Sequence, residues 1–306
     1  MENSTNPSLI VITKMKNNET YMVVSDPGVD DVIALLLLSK LSPVQEHVLV
    51  STFGNAPEEY TGQNAKEFIS FAAPHWFFKS GPKNPIKLLE HPWPSYFHGA
   101  DGVCGIHPAV DVSGVKTQAE FGPAKSIISL GPMTGVCGMV RQEKIRNITI
   151  MGGAIHVPGN ETSYAETNIA FDPDAAEYVF AHSGGMSISV VPLDVTKRVF
   201  WTKDEVARIP EDAAYAAWVK RMLLTWFESY GGKRESVFHL HDPLAIYSIH
   251  FPDSLEWVTS GIQVITSGAE RGRTILSNAN SPCRIALEVH NPSRIAQRIF
   301  EIIFSA

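Results

Sequence analysis

Short apolar runs alternate along the chain with segments whose apolar positions recur at helical spacing. Parallel strands buried on both faces by helices produce this pattern. The expected fold class is therefore α/β, a Rossmann-like open, mostly parallel sheet flanked by helices. Tyr21–Ser25, His47–Thr52, Trp76–Phe78, Ser126–Leu130, Ile148–Met151, Ser187–Pro192 and Arg284–Val289 read as strands. Val32–Leu41, Glu58–Ala72, Pro173–Ala181, Lys203–Arg208, Ala213–Ser229, Leu244–Ile249 and Pro292–Phe304 read as helices. Gly81–Phe121 has no clear period and is rich in Pro, Gly and His. A stretch that long is a functional loop or disordered, and its aromatics Trp93, Tyr96 and Phe97 favour the loop. With no repeat or linker to divide it, 1–306 reads as one domain, its polar, Asn-rich residues 1–18 a flexible extension.

Composition narrows the functional classes. The 306 residues are 44% hydrophobic and 19% charged, with a net charge of -7. That is ample for a core and the wrong sign for neutralising nucleic-acid phosphates, so a small substrate is expected rather than a polymer. The longest apolar stretch, Val32–Leu38, is far short of the roughly 20 residues that span a bilayer. Cys104, Cys137 and Cys283 are odd in number and widely spaced, which suits a reducing compartment. The first 18 residues lack the apolar core of a secretory signal, so the expectation is a cytoplasmic protein.

The densest candidate chemistry is Asp26-Pro27-Gly28-Val29-Asp30-Asp31, at the carboxyl end of the first strand. Open α/β sheets bind ligands there. Three carboxylates within six residues repel one another unless a cation shares them, and hard divalent cations take all-oxygen shells. Helix capping explains one of these acids, or two if the helix dipole is counted. His241-Asp242-Pro243 precedes an apolar helical run and, taken alone, reads as another cap beside an ordinary histidine. His107 and His156 belong to no motif.

Across nearly its whole length the sequence resembles the inosine-uridine preferring nucleoside hydrolase family. The family's opening pattern (acid, any, Asp-Pro-Gly, any, Asp-Asp) aligns with Val24–Asp31. Phe53-Gly54-Asn55, Asn64, His98–Gly102 and Leu130–Thr134 follow in order. Met151–Ala154, Gly159-Asn160, Ala165–Asn168, Asp172–Ala176, Pro192–Thr196 and His241-Asp242-Pro243 complete the series. Each motif is weak by itself; their order and spacing make the resemblance specific.

The resemblance implies hydrolysis of a ribonucleoside to ribose and free base by a calcium-bound water. Asp26, Asp31, Asp242 and the backbone carbonyl of Thr134 hold the Ca2+ in this reading, with Asp26 also the general base and His241 the acid toward the departing base. Asp30 and Asn168 bind ribose hydroxyls, Asn160 and Glu166 the 5′ hydroxyl, and Asn55 supports that network. His98 and Tyr230 are candidates for the base pocket. The resemblance also implies a homodimer or homotetramer. Three positions depart from the family: Val24 replaces the opening acid, Gly135 an Asn, and Thr167 a Phe. They motivate a competing reading, a ribose- or nucleoside-binding protein with little turnover. A magnesium phosphatase is disfavoured, because the Asp-any-Asp pattern expected after the first strand is absent.

Overall fold

The computed structural model describes residues 19–87, 94–118, 126–142, 145–182, 184–278 and 280–305. The expected extension at 1–18 and Trp93 lie outside these residues. In chain order the first elements are β1 (Tyr21–Ser25), α1 (Val29–Leu41), β2 (Val48–Ser51), α2 (Glu58–Ala72), β3 (Phe77–Lys79), α3 (Ser95–His98) and β4 (Ser126–Ser129). Next come α4 (Thr134–Gln142), β5 (Asn147–Met151), α5 (Thr167–Phe171), α6 (Pro173–Ala181), β6 (Ser187–Val191), α7 (Leu193–Thr196) and β7 (Phe200–Thr202). The chain ends with α8 (Lys203–Ala207), α9 (Ala214–Ser229), β8 (Val237–His239), α10 (His241–His250), β9 (Leu255–Val264), β10 (Thr274–Ser277), β11 (Cys283–Val289) and α11 (Pro292–Phe304).

The main sheet runs β10-β9-β11-β6-β5-β4-β1-β2-β3. All neighbours from β11 to β3 pair parallel, while β9 pairs antiparallel with β11 and β10. The expected α/β sheet is therefore present, with an antiparallel edge. β1 lies between β2 and β4, paired Val24↔Val50 on one side and Val23↔Ile128 on the other. Strand order reverses here, which opens a crevice at the carboxyl ends of β1 and β4.

Alternation along β1 divides the core between the two faces of the sheet. Tyr21 and Val23 join the cluster under α1, α9, α10 and α11. Met22 and Val24 join the one under α4 and α6. Leu35 to Leu38 of α1 are all buried, as befits a helix covered on every side.

Helix α1 starts at Val29 rather than the expected Val32, so Asp30 and Asp31 occupy its first turn. The Gly28 N–H donates to Asp31 Oδ2 at 3.0 Å, satisfying an amide at a helix start and favouring negative charge there. Four helices (α3, α4, α5 and α7) and four strands (β7 to β10) were not expected from the sequence. α4 is only nine residues long and carries Gly135 and Gly138, which lower its helix propensity, and α5 is one turn long. β9 and β10 lie at the sheet edge and are polar or half-exposed at many positions. Among the described residues, no helix is long and apolar enough to cross a membrane.

At the amino end of the sheet, buried His47 accepts the Tyr21 N–H on Nδ1 at 3.1 Å. Burial, then proximity to His75 and His250, pulls its pKa down to about 3. The folded protein therefore holds this ring neutral, whereas in the unfolded chain it protonates near 6.5. Its contribution to stability is complete above the unfolded value and is lost as pH falls toward the folded one. Denaturant titration should show a loss of roughly 2 to 3 kcal/mol from this group between about pH 6.5 and 4.5. His47→Asn should flatten that slope; an unchanged slope would contradict the assignment.

Candidate active site

Four acids converge in the crevice at the carboxyl ends of β1 and β4. The loop after β1 supplies Asp26, the first turn of α1 supplies Asp30 and Asp31, and the first turn of α10 supplies Asp242. Asp26, Asp31 and Asp242 are 2%, 0% and 2% exposed. Ligand oxygens of Asp30, Asp31 and Asp242 all lie within 4.8 Å of one another. Burial pushes all four carboxyls above their ordinary range, and Asp31 adds like-charge repulsion at Asp26, Asp30 and Asp242.

Hydrogen bonds fix part of this cluster and leave part open. Asp31 accepts from Ser25 Oγ at 2.5 Å, the Gly28 N–H at 3.0 Å and Asn55 Nδ2 at 2.9 Å. Asp26 Oδ2 accepts the Asn55 N–H at 2.7 Å. Asp26 Oδ1 and Asp30 Oδ1 are buried without a partner. Buried carboxylate oxygens that carry charge and lack donors are costly. A hard divalent cation resolves both the repulsion and the missing partners, so the all-oxygen donor set fits such an ion.

Two glycines make room for Asp26. A Cβ at Gly131 would sit 2.3 Å from Asp26 Oδ1, and one at Gly54 would sit 1.9 Å from Oδ2. Real side chains do not approach so closely, so Gly131→Ala must push the carboxylate aside. Because misplacing a reacting group by about 1 Å costs on the order of 100-fold, this variant should lose about that much activity with its circular dichroism unchanged. Full activity in the variant would show that the position of Asp26 is immaterial.

Above the acids lies a cavity of about 290 Å³ lined by Asp30, Asn55, His98, Asn160, Glu166, Asn168, His241 and Asp242, among others. Every substrate-binding candidate from the sequence lies on its wall except Tyr230. That residue ends α9 and packs against the core; Tyr96, Phe97 and Arg234 line the cavity in its place. Arg234 stacks over the Tyr96 ring, 4.2 Å from its centroid. Tyr96 and Phe97 fall in the aromatic loop flagged by sequence, whereas Arg234, Lys197 and His239 sit in motif-free stretches and gave no signal.

The polar wall is held by local structure. Glu166 caps α5, accepting the N–H groups of Asn168 at 2.9 Å, Ile169 at 3.1 Å and Gly153 at 3.1 Å. Burial nevertheless pushes its carboxyl up to about 7. Asn168 Nδ2 donates to the Leu130 carbonyl at 2.8 Å, tying α5 to the end of β4. Thr134 opens α4, and its hydroxyl donates to Asp172 Oδ2 at 2.5 Å.

On the opposite side, His241 Nδ1 lies 2.7 Å from Thr196 Oγ1. Burial, then His239 and Lys197, holds this imidazole well below its ordinary pKa, so it is neutral rather than poised near neutrality as its residue type suggested. His98 is pulled down to about 3 by burial, and its Nδ1 accepts the Val29 N–H at 3.3 Å.

A family model described as inosine-uridine preferring nucleoside hydrolase matches residues 23–296, almost the whole chain. The chain belongs to this family. A probable uridine nucleosidase of Oryza sativa subsp. japonica is 26% identical over 279 residues, spanning 85% of each chain. A pyrimidine-specific ribonucleoside hydrolase of Salmonella paratyphi B is 30% identical over 272 residues, 82% of this chain and 86% of its own. Two solved structures share the fold at 23% identity. A plant nucleoside hydrolase has a TM-score of 0.82, covering 94% of this chain and 100% of its own. A purine-preferring ribonucleoside hydrolase from Gardnerella vaginalis has a TM-score of 0.83, covering 93% and 98%.

The departures from the nucleoside hydrolase pattern become intelligible in space. Val24 is buried in β1, and a Cβ at Gly135 would meet its Cγ1 at 3.3 Å. The two departing positions are thus neighbours in space. Support for the acids comes from the next residue instead, since Ser25 Oγ holds Asp31. At the third departure, Thr167 donates its N–H and its hydroxyl to Asn160 Oδ1 at 3.0 and 3.1 Å. This fixes the amide so that its NH2 remains available to a ligand.

Proposed function

We propose that this nucleoside hydrolase family member cleaves the N-glycosidic bond of ribonucleosides of the inosine, uridine and pyrimidine type, giving ribose and free base, with calcium as its metal. The observation that carries the proposal is the set of four converging acids, three of them buried and two with unpartnered oxygens, of which Asp30 and Asp242 line a cavity whose wall holds neutral His241. Asp26, Asp31 and Asp242 would hold the ion with the Thr134 carbonyl, and Asp30 is close enough to share it or a sugar hydroxyl. A bound divalent cation supplies Lewis acidity that makes water a better nucleophile at neutral pH.

The remaining chemistry belongs to the chain. Cleavage develops positive charge on the sugar and negative charge on the departing base. The acids favour the first, and Asp26 Oδ1, free of other donors, is placed to take the proton of the attacking water. Thr196 fixes the His241 ring through Nδ1. When the Thr196 hydroxyl donates there, the ring hydrogen sits on Nε2, a donor available to the base. Asn160, Glu166 and Asn168 orient the ribose, with Asn55 behind the acids. The Ser25–Asp31 bond, which holds the acid in place although Val24 carries no carboxylate, supports a working site over a binding protein without turnover.

Uridine, cytidine and inosine, each incubated with the calcium-loaded protein, should yield reducing sugar and free base in equal amounts for at least one substrate. Thermal stabilisation by nucleoside with no product from any of the three would overturn hydrolysis and support a binding role.

A further inference from the structure

His107 lies outside the cavity and belongs to no motif, yet both its ring nitrogens face carboxylates. Nδ1 is 2.7 Å from Glu67 Oε2 on α2, and Nε2 is 3.0 Å from Asp101 Oδ2. A neutral imidazole donates from one nitrogen only, so the imidazolium alone satisfies both contacts. Asp101 organises the tight turn that follows His98. Its Oδ1 accepts the N–H groups of Val103 and Gly105, each at 3.1 Å. Its carbonyl accepts Asn64 Nδ2 at 2.7 Å, and the same amide donates to the Pro27 carbonyl at 2.9 Å. Gly99, Gly102, Cys104 and Gly105 all have positive φ, which for Cys104, at 60°, means backbone strain that its surroundings must hold. The Cys104 N–H closes the turn on the His98 carbonyl at 2.8 Å.

We propose that His107 is a positioning residue of the substrate site, clasping the Gly99–Gly105 turn to α2 as an imidazolium and thereby fixing His98 in the cavity wall. Glu67 and Asp101 are the charged groups that face it among the described residues. Burial pulls its pKa down, but the hydrogen bonds to these two acids outweigh that, so the charged form persists above its ordinary range. Once the proton is lost, one carboxylate faces a bare ring nitrogen and the clasp opens on that side.

The inference rests on the hydrolase reading above, and its test separates the two. In the calcium-loaded protein, KM for uridine should rise about fivefold on the alkaline side, at the pH where nuclear magnetic resonance sees His107 titrate, with kcat much less affected. His107→Gln should raise KM at every pH and abolish the rise, while His107→Arg, which keeps the charge, should hold KM low through that range. Hydrogen exchange of residues 98–105, corrected for intrinsic rates, should accelerate at the same pH in the wild type and not in His107→Arg. This readout needs no turnover, so it survives a failure of the hydrolase reading. KM profiles and exchange that coincide in the wild type and both variants would overturn the proposal.

Discussion

Asp26→Asn is expected to lower kcat for uridine by about 1,000-fold, within the 10²–10⁴ range for a proton-transfer group, while the protein stays folded. The asparagine oxygen can keep the Asn55 N–H bond, made at 2.7 Å in the wild type. Its NH2 then occupies the place of Oδ1, the oxygen that has no partner. The substitution removes a proton acceptor from the acidic cluster, and it relieves repulsion from Asp31 and Asp30. Melting temperature of the metal-free protein should therefore hold or rise, while activity of the calcium-loaded protein collapses. Retention of more than about a tenth of wild-type kcat, against the 10²–10⁴ loss expected for such a group, would remove Asp26 from that role.

Asp31→Asn tests the metal rather than the proton. Asp31 Oδ2 accepts from Gly28 and Asn55, whereas Oδ1 accepts from the rotatable Ser25 hydroxyl. Asparagine can keep its oxygen toward the first two and donate its NH2 to Ser25 Oγ; the Ser25 hydroxyl hydrogen then loses its acceptor, a cost of about 1–3 kcal/mol that the relieved repulsion among the acids offsets in the metal-free fold. What it loses is a fully buried negative charge facing Asp30 and Asp242. Calcium affinity should fall at least 100-fold, read as loss of the calcium-induced rise in melting temperature, which scales with the logarithm of ligand over Kd. An undiminished rise would show that the ion binds elsewhere.

Elements with strong apolar runs were legible in the sequence, as were the acids on the strand-to-helix turn. Val23 and Met22 face opposite layers of the core, and buried parallel strands of this kind announce themselves as continuous apolar runs. α4 was not legible because two glycines in nine residues lower its helix propensity, and β9 and β10 because half-exposed edge positions leave them without a period. Asp30 could be counted among the acids but not placed; the start of α1 at Val29 sets it beside Asp31 and Asp242. Tyr230 looked like a pocket aromatic by residue type, yet the end of α9 turns it to the core and leaves the wall to Arg234 and Tyr96. The depressed pKa of His241 was also beyond the sequence, since it comes first from burial and then from His239 and Lys197 packed nearby. Val24 and Gly135 looked like two separate departures, and only the structure shows them to be neighbours.

The most direct test of the central claim, that the buried acids hold the metal on which nucleoside cleavage depends, is a calcium titration of chelator-stripped protein. Uridine turnover and calcorimetric calcium binding should be followed on the same sample. Turnover should be absent without metal and return in step with a single bound calcium, and Asp31→Asn should shift both curves together. Full turnover in the stripped protein, or calcium binding with no cleavage of any nucleoside, would contradict it.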